Sequence, residues 1–466
     1  MNKDDFKKNA HDLIDWMADY YFDDVKSLPV RSQVKPGAVR AQIPTAAPME
    51  AEGFQSLFDD FRDIVIPGMT HWQHPRFFAY FPANVSPPSV LAEMLTSIMG
   101  ANAMLWETSP AATELEEAMM NWLKDMMALP TEWSGVIQDT ASSAAFCAVL
   151  AARERATDWR VNESGLQASD KLAFYTSAEA HSSVEKAVKM AGLGKSSIRL
   201  VPTDDDFAMK PSALISMIED DRKNGTTPTM LVATVGTTGV GASDPLEPLG
   251  LIARSNSMYF HVDAAWAGSA MVCPEYRYLM RGIELADSYA FNPHKWMGVN
   301  FDCTAHFVKD ADTLKRTLTI LPEYLKTREG NSVTDYRDWG IQLGRRMRAL
   351  KLWFVIRSYG VEGLQAMFRN HIEMTEELAE KIFMTEGFEL VTKPNLSLLT
   401  FRKVEGNAEE SDQATEALLT KINDDGFTYL TRTVVNGRPV IRFQIGQINT
   451  SSDDVMTTWE RIVALS

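Results

Sequence analysis

The sequence predicts an α/β protein: a large domain on a mainly parallel sheet of seven strands, with a helical arm before it and a small α+β domain after it. Three observations carry this. Between residues 135 and 308 lie seven short runs rich in β-branched and aromatic residues (GVIQ, LAFYT, IRLVP, MLVATVG, YFHVD, SYAF, AHFV), most of the earlier ones separated by amphipathic helical stretches, the rhythm of a sheet covered by helices on both faces. Upstream, apolar residues recur at helical spacing with no strand between them. Beyond residue 364 the order changes to helix, strand pair, helix, hairpin and helix.

In chain order, Phe6, Leu13, Ile14, Met17, Tyr20 and Tyr21 form one stripe on a charged helix, and Phe54, Leu57, Phe58, Phe61 and Val65 a second. Two helices without a sheet make a poor independent domain, so the arm (1–86) is expected to lie on another surface, a second subunit. The large domain (87–363) opens its regular part with SPAATELEEAMMNWLKDMMAL, where Ser109 is placed as N-cap and Pro110 at the first helical position. The small domain (364–466) carries a hairpin turn at Asn436-Gly437.

The 466 residues, 45% apolar and 23% charged, describe an ordinary soluble globular chain. A net charge of −16 argues against nucleic acid or an anionic membrane surface as partner. Three cysteines, Cys147, Cys273 and Cys303, sit in apolar sequence without CxxC spacing, which suits a reducing compartment and neither disulfides nor a metal site. With no secretory h-region and no run of about 18 apolar residues, a cytoplasmic location is expected.

Four strand ends carry polar groups. After GVIQ, Thr140, Ala141, Ser142 and Ser143 open an Ala-rich helix, where free N–H groups suit a phosphate, though a simple N-cap reads equally well. His181 begins a helix after LAFYT. Thr238 and Asp244 follow MLVATVG, whose GTTGVG lacks the GxGxxG spacing of a nicotinamide site. Asp263 ends YFHVD, a costly place for a carboxylate without a cation, and Lys295 lies at the end of the next strand in apolar surroundings. The two suit a plain ion pair. Together, however, an anion cradle, a buried carboxylate, an imidazole and a desolvated lysine match what pyridoxal 5′-phosphate requires: a phosphate site, a partner for its ring nitrogen, a face to stack on, and an amine for its aldehyde.

HWQHPRFFAYFPA (71–83), SPAATELEEAMMNWL (109–123), HVDAAWAGSA (261–270), FNPHKWMGVNFDC (291–303) and DYRDWGIQLGRRMRALKLWFVIRSYG (335–360) resemble the group II pyridoxal-phosphate decarboxylases, and among them the aromatic-L-amino-acid decarboxylases. The resemblance implies the aminotransferase-like fold (fold type I) and a homodimer embraced by the arm. It also implies that Lys295 bonds the cofactor, Asp263 partners the ring nitrogen, Ala265 touches the ring and His181 stacks on it. Thr140, Ala141, Ser142, Asn292 and His294 match the phosphate positions, with Thr140 standing where the family favours Ser. Thr238 matches a residue beside cofactor and substrate, and Tyr324 the proton donor on a mobile loop. Trp72, Tyr80, Phe81, Pro82, Asn102, Met104, His181 and Gly344 match the substrate side.

Decarboxylation of tryptophan, 5-hydroxytryptophan, dopa, tyrosine or phenylalanine to the amine and CO2 is the implied reaction. Aldehyde-forming relatives commonly replace the Tyr by Phe or the His by Asn, and this chain has both Tyr324 and His181. An aldehyde synthase, a decarboxylase of a non-aromatic amino acid and, more remotely, a nicotinamide oxidoreductase stand as alternatives. His71 and His74 lack the spacing and carboxylate of a hydrolytic metal centre.

Overall fold

All seven central runs are strands: β1 (Ser134–Gln138), β2 (Leu172–Ser177), β3 (Ile198–Val201), β4 (Thr227–Thr234), β5 (Tyr259–Asp263), β6 (Ser288–Phe291) and β7 (Thr304–Val308). They make one sheet in the order β1-β7-β6-β5-β4-β2-β3. Its β3-β2-β4-β5-β6 portion is parallel, whereas β7 runs antiparallel to both β6 and β1. Two reversals restore the direction, so β1 points the same way as β6 and the carboxyl ends of the parallel strands and β1 share one edge. β2, β5, β6 and β7 are buried throughout, as a sheet covered on both faces requires. The Ala-rich helix Ala141–Ala156 buries Ala144, Ala145, Cys147, Ala148, Ala151 and Ala152. Such small side chains let its backbone approach β2, β4 and β5, where Phe174, Met230, Val232 and Tyr259 complete the core.

This computed structural model describes residues 1–320 and 332–466. They fall into two compact units, Asn84–Ile372 with the seven-stranded sheet, and Met1–Ala83 together with Glu373–Ser466. The second unit holds an antiparallel sheet of β8 (Phe388–Asn395), β9 (Leu398–Lys403), β10 (Thr431–Val435) and β11 (Arg438–Gln444) in the order β10-β11-β9-β8. Asn436 and Gly437 both take positive φ, 51° and 78°, as a two-residue hairpin turn demands.

This grouping cuts the chain at 83/84 and 372/373, where the sequence suggested 86 and 363, and it joins the N-terminal segment to the C-terminal one. The cause is packing. Phe78 lies in the core of the antiparallel sheet, stacked on Phe443 at 4.2 Å, and Phe77 bridges to Tyr429. The helix Lys3–Phe22, closed by an Asn2/Asp5 capping box, sets Trp16 against Phe58 and Phe61 of the second predicted helix.

Ser109 occupies the N-cap position of Pro110–Met127, but its hydroxyl makes no capping bond; it donates to the Asn102 carbonyl at 3.0 Å. Among the described residues no helix is long and apolar enough to cross a membrane. Cys147, Cys273 and Cys303 are buried free thiols.

Candidate active site

At the carboxyl end of β1, Thr140 takes the extended N-cap position of the helix Ala141–Ala156 without a side-chain capping bond, while its own N–H donates to Asp139 Oδ1 at 2.6 Å. Among the described residues the N–H groups of Ala141 and Ser142 donate to nothing. An uncapped helix of this length therefore offers open donors and the positive end of its dipole. Asn292, just past β6, accepts from Thr304 Oγ1 at 2.8 Å. That bond assigns its oxygen and leaves the amide nitrogen as the donor. His294 accepts the Cys303 N–H at Nδ1 over 2.8 Å, which places its proton on Nε2. Burial, reinforced by Lys295, pushes its pKa down to about 3, so the ring is a neutral donor.

Asp263 ends β5, buried, and its Oδ1 accepts the Ala265 N–H at 2.9 Å. The Asn292 N–H in turn donates to the Ala265 carbonyl at 2.9 Å, sewing the turn after β5 to the end of β6. His181 is exposed at the start of the helix Ser183–Met190; it accepts from the Ser183 N–H at Nδ1 over 3.2 Å, so its proton too is on Nε2. Desolvation on its inner side lowers the imidazole pKa; Asp263 opposes this and Lys295 adds to it. Carboxylate, imidazole and amine thus lie within electrostatic reach of one another.

Lys295 is half-buried on the short helix Pro293–Trp296. The next residue anchors it. Trp296 is fully buried, stacks on Trp266 at 5.4 Å and donates from Nε1 to His371 Nδ1 at 2.8 Å.

Thr238 is exposed in the turn after β4. That turn begins at Gly236, whose φ of 81° and closeness to Ala267, 2.5 Å from where a Cβ would stand, admit only glycine. Asp244 clamps it, its carboxylate accepting the N–H groups of Thr234 and Met209 at 2.7 Å each. Burial raises this carboxyl to about pKa 6. Its oxygens are committed to the backbone, so it is structural.

Asn102 and Gly344 meet: a Cβ on Gly344 would stand 4.0 Å from Asn102 Nδ2, and Asn102 Oδ1 accepts the Arg345 N–H at 3.0 Å. The Met104 carbonyl accepts the Arg337 N–H at 3.1 Å. Sequence reasoning missed Arg345. Its guanidinium donates to Glu116 at 2.6 Å, the Ile137 carbonyl at 2.9 Å and the Ala103 carbonyl at 3.2 Å, binding the 102–104 segment to β1. Nothing local marks it, since Glu116 lies 229 residues away.

Trp72, Tyr80, Phe81 and Pro82 belong to the other unit. There Trp72 lies 4.5 Å from Phe77 and 5.9 Å from Tyr80, whose hydroxyl meets that of Tyr429 at 3.2 Å. The Arg442 guanidinium covers Phe81 at 4.7 Å, and Pro82 is buried. His71 pairs with the Tyr20 hydroxyl, and His74 accepts the Arg76 N–H, both structural contacts. Tyr324 lies outside the described residues.

Open N–H donors, a neutral His294, an oriented Asn292 amide, a buried carboxylate and a half-buried amine at one sheet edge fit pyridoxal phosphate. Residues 36–404 match the pyridoxal-dependent decarboxylase conserved domain. A tryptophan decarboxylase 2 of Oryza sativa subsp. japonica is 40% identical over 472 residues, 99% of this chain and 94% of its own length. A phenylacetaldehyde synthase of Arabidopsis thaliana is 40% identical over 474 residues, 99% of this chain and 96% of its own. The crystal structure of Oryza sativa TDC with PLP and tryptamine superposes with a TM-score of 0.97 at 36% identity, covering 100% of this chain and 98% of that one. Sequence, fold and site agree: this chain belongs to the pyridoxal-dependent decarboxylases and is a pyridoxal-phosphate-dependent carboxy-lyase.

Proposed function

We propose that this chain converts an aromatic L-amino acid (tryptophan, 5-hydroxytryptophan, dopa, tyrosine or phenylalanine) to its amine and CO2, as a cytoplasmic homodimer. The observation that carries the reading is that Asp263 and Lys295 both act electrostatically on His181, at the sheet edge where Thr140 opens the helix Ala141–Ala156 without a side-chain capping bond. The aromatic substrate class is supported by relatives named for tryptophan and tyrosine decarboxylation.

The cofactor, when bound, supplies an aldehyde for attachment and a conjugated ring that takes up the electron pair left by the departing carboxylate. Lys295 Nζ is the amine of attachment. Asp263 would partner the ring nitrogen. His181 would supply the imidazole against the ring. Ala141 and Ser142 N–H groups, Thr140, Asn292 and His294 would hold the phosphate, and Thr238 and Ala265 would contact the ring. Tyr324 delivers the proton that replaces CO2. Asn102, Met104 and Gly344 would select the side chain.

A homodimer is supported by the helix Pro87–Met99, on which Leu91, Met94, Leu95 and Ile98 form an exposed apolar stripe at i, i+3, i+4 and i+7. The N-terminal arm is proposed to pack on the partner.

A second reading, an aldehyde synthase, rests on a phenylacetaldehyde synthase relative that is 40% identical, the same identity as the tryptophan decarboxylase. The test separates them. Borohydride reduction of protein loaded with pyridoxal phosphate should place the label on Lys295; label elsewhere, or none, removes the site. Incubation with the five amino acids, measuring amine, aldehyde and CO2 separately, should give amine and CO2 in equal amounts, whereas aldehyde in place of amine would establish the second reading.

A further inference from the structure

The Nε2-protonated tautomer of His294 is set by a backbone donor, the Cys303 N–H at 2.8 Å, and the His294 N–H returns a bond to the Cys303 carbonyl at 3.3 Å. What holds Cys303 in place is therefore decisive. The segment 298–303 carries no regular structure. Its early part is clamped from one side, where Ser86 donates to the Gly298 carbonyl at 2.7 Å and Ser89 Oγ accepts the Asn300 N–H at 2.8 Å. From the other side comes a charged contact: Arg348 Nε donates to Asp302 Oδ1 at 2.7 Å, with both side chains largely withdrawn from solvent. Asp302 immediately precedes the N–H that fixes the histidine.

We propose that Arg348 and Asp302 are positioning residues for the cofactor's phosphate, holding the Cys303 N–H against His294 Nδ1 so that Nε2 presents a proton to the anion. The inference rests on the pyridoxal-phosphate reading above and deepens it. Without the ion pair the 301–303 backbone is free to shift, His294 loses its tautomer and its orientation, and one of the donors to a doubly charged group is lost. Partners one step removed from a ligand commonly fix tautomer and ring angle in this way. Burial first, then Lys295 and Lys351, disfavour a second proton on the His294 ring against the opposing Asp139; Lys351 is itself paired with Glu93 at 3.1 Å.

The test is a double-mutant cycle read by cofactor affinity. Full-length apoprotein is titrated with pyridoxal phosphate, following quenching of tryptophan fluorescence, for wild type, Asp302→Asn, Arg348→Met, His294→Ala and the two doubles with His294→Ala. Loss of one hydrogen bond to a charged group predicts a Kd raised about tenfold in each single positioning variant. In the His294→Ala background the same substitutions should change Kd by less than about twofold. Arg348→Lys, which keeps the charge, should recover part of the loss. Asp302→Asn is nearly isosteric and carries the test if Arg348→Met does not fold. An equal loss with and without His294 would make the pair merely structural and overturn the proposal; so would an unchanged Kd. Failure of the wild-type protein to bind pyridoxal phosphate at all would instead overturn the cofactor reading, so the two failures are distinguishable.

Discussion

Thr304, the first residue of β7, donates its hydroxyl to Asn292 Oδ1 at 2.8 Å, across the antiparallel pairing with β6. Both residues are buried, and the bond decides which end of the amide faces away from the strand. Thr304→Val keeps the shape and removes the donor. A buried hydrogen bond of this kind contributes about 1 kcal/mol. Pyridoxal-phosphate affinity should therefore fall about fivefold by titration, while the melting temperature drops by only a few degrees.

Acid should destabilise this fold through its buried histidines. Burial pushes His261 down to about 3 and His306 to about 4, and both side chains are almost fully buried in the large sheet. An unfolded imidazole titrates near 6.5. The unfolded chain thus takes up the proton first: stability is complete above about pH 6.5 and is lost as pH falls toward the folded values, at roughly 1.4 kcal/mol per pH unit for each group. Asp244, raised to about 6, acts in the opposite direction but is a single group. Neither ring nitrogen of His306 has a hydrogen-bond partner among the described residues. His306→Leu should therefore leave the melting temperature at pH 7 nearly unchanged and make its decline between pH 7 and pH 5 shallower.

Arg345 and Glu116 are both almost fully buried, so removing one partner strands the other charge. Arg345→Met is expected to cost about 3–5 kcal/mol, measurable by urea unfolding. Glu116→Gln should cost less, since the amide still accepts from Arg345 and the Ile137 N–H. The loss in Arg345→Met should fall on substrate as well as stability, raising KM by releasing the 102–104 segment.

Tyr324→Phe tests the proton donor proposed above. General acid catalysis typically contributes about 10²–10⁴-fold, so amine formation should fall by at least that lower factor while CO2 release continues; in air, with O2 reduced to hydrogen peroxide, aldehyde and ammonia should appear in place of the amine. Unchanged amine yield would assign the proton to another group.

How much of this was legible in advance follows from how far apart the interacting residues lie. The strands were, because their signal is local: YFHVD and SYAF declare themselves by composition and by the polar group that ends them. Asp263 and Lys295 stood out for the same reason, a charge in apolar sequence needing an explanation. The capping role expected of Ser109 did not survive, since its hydroxyl found the Asn102 carbonyl seven residues back.

The sequence by itself determined the sheet's strands, the ends that carry chemistry and the resemblance of the site to a pyridoxal-phosphate pocket. Only the tertiary structure decided the antiparallel insertion of β7, the tautomer of His294, the orientation of Asn292 and the hold of Arg345 on β1. Each of these depends on a hydrogen bond between residues brought together by folding, and a bond's geometry is fixed by both partners at once. Periodicity reports what one segment prefers, and it carries no record of the donor that another segment will supply.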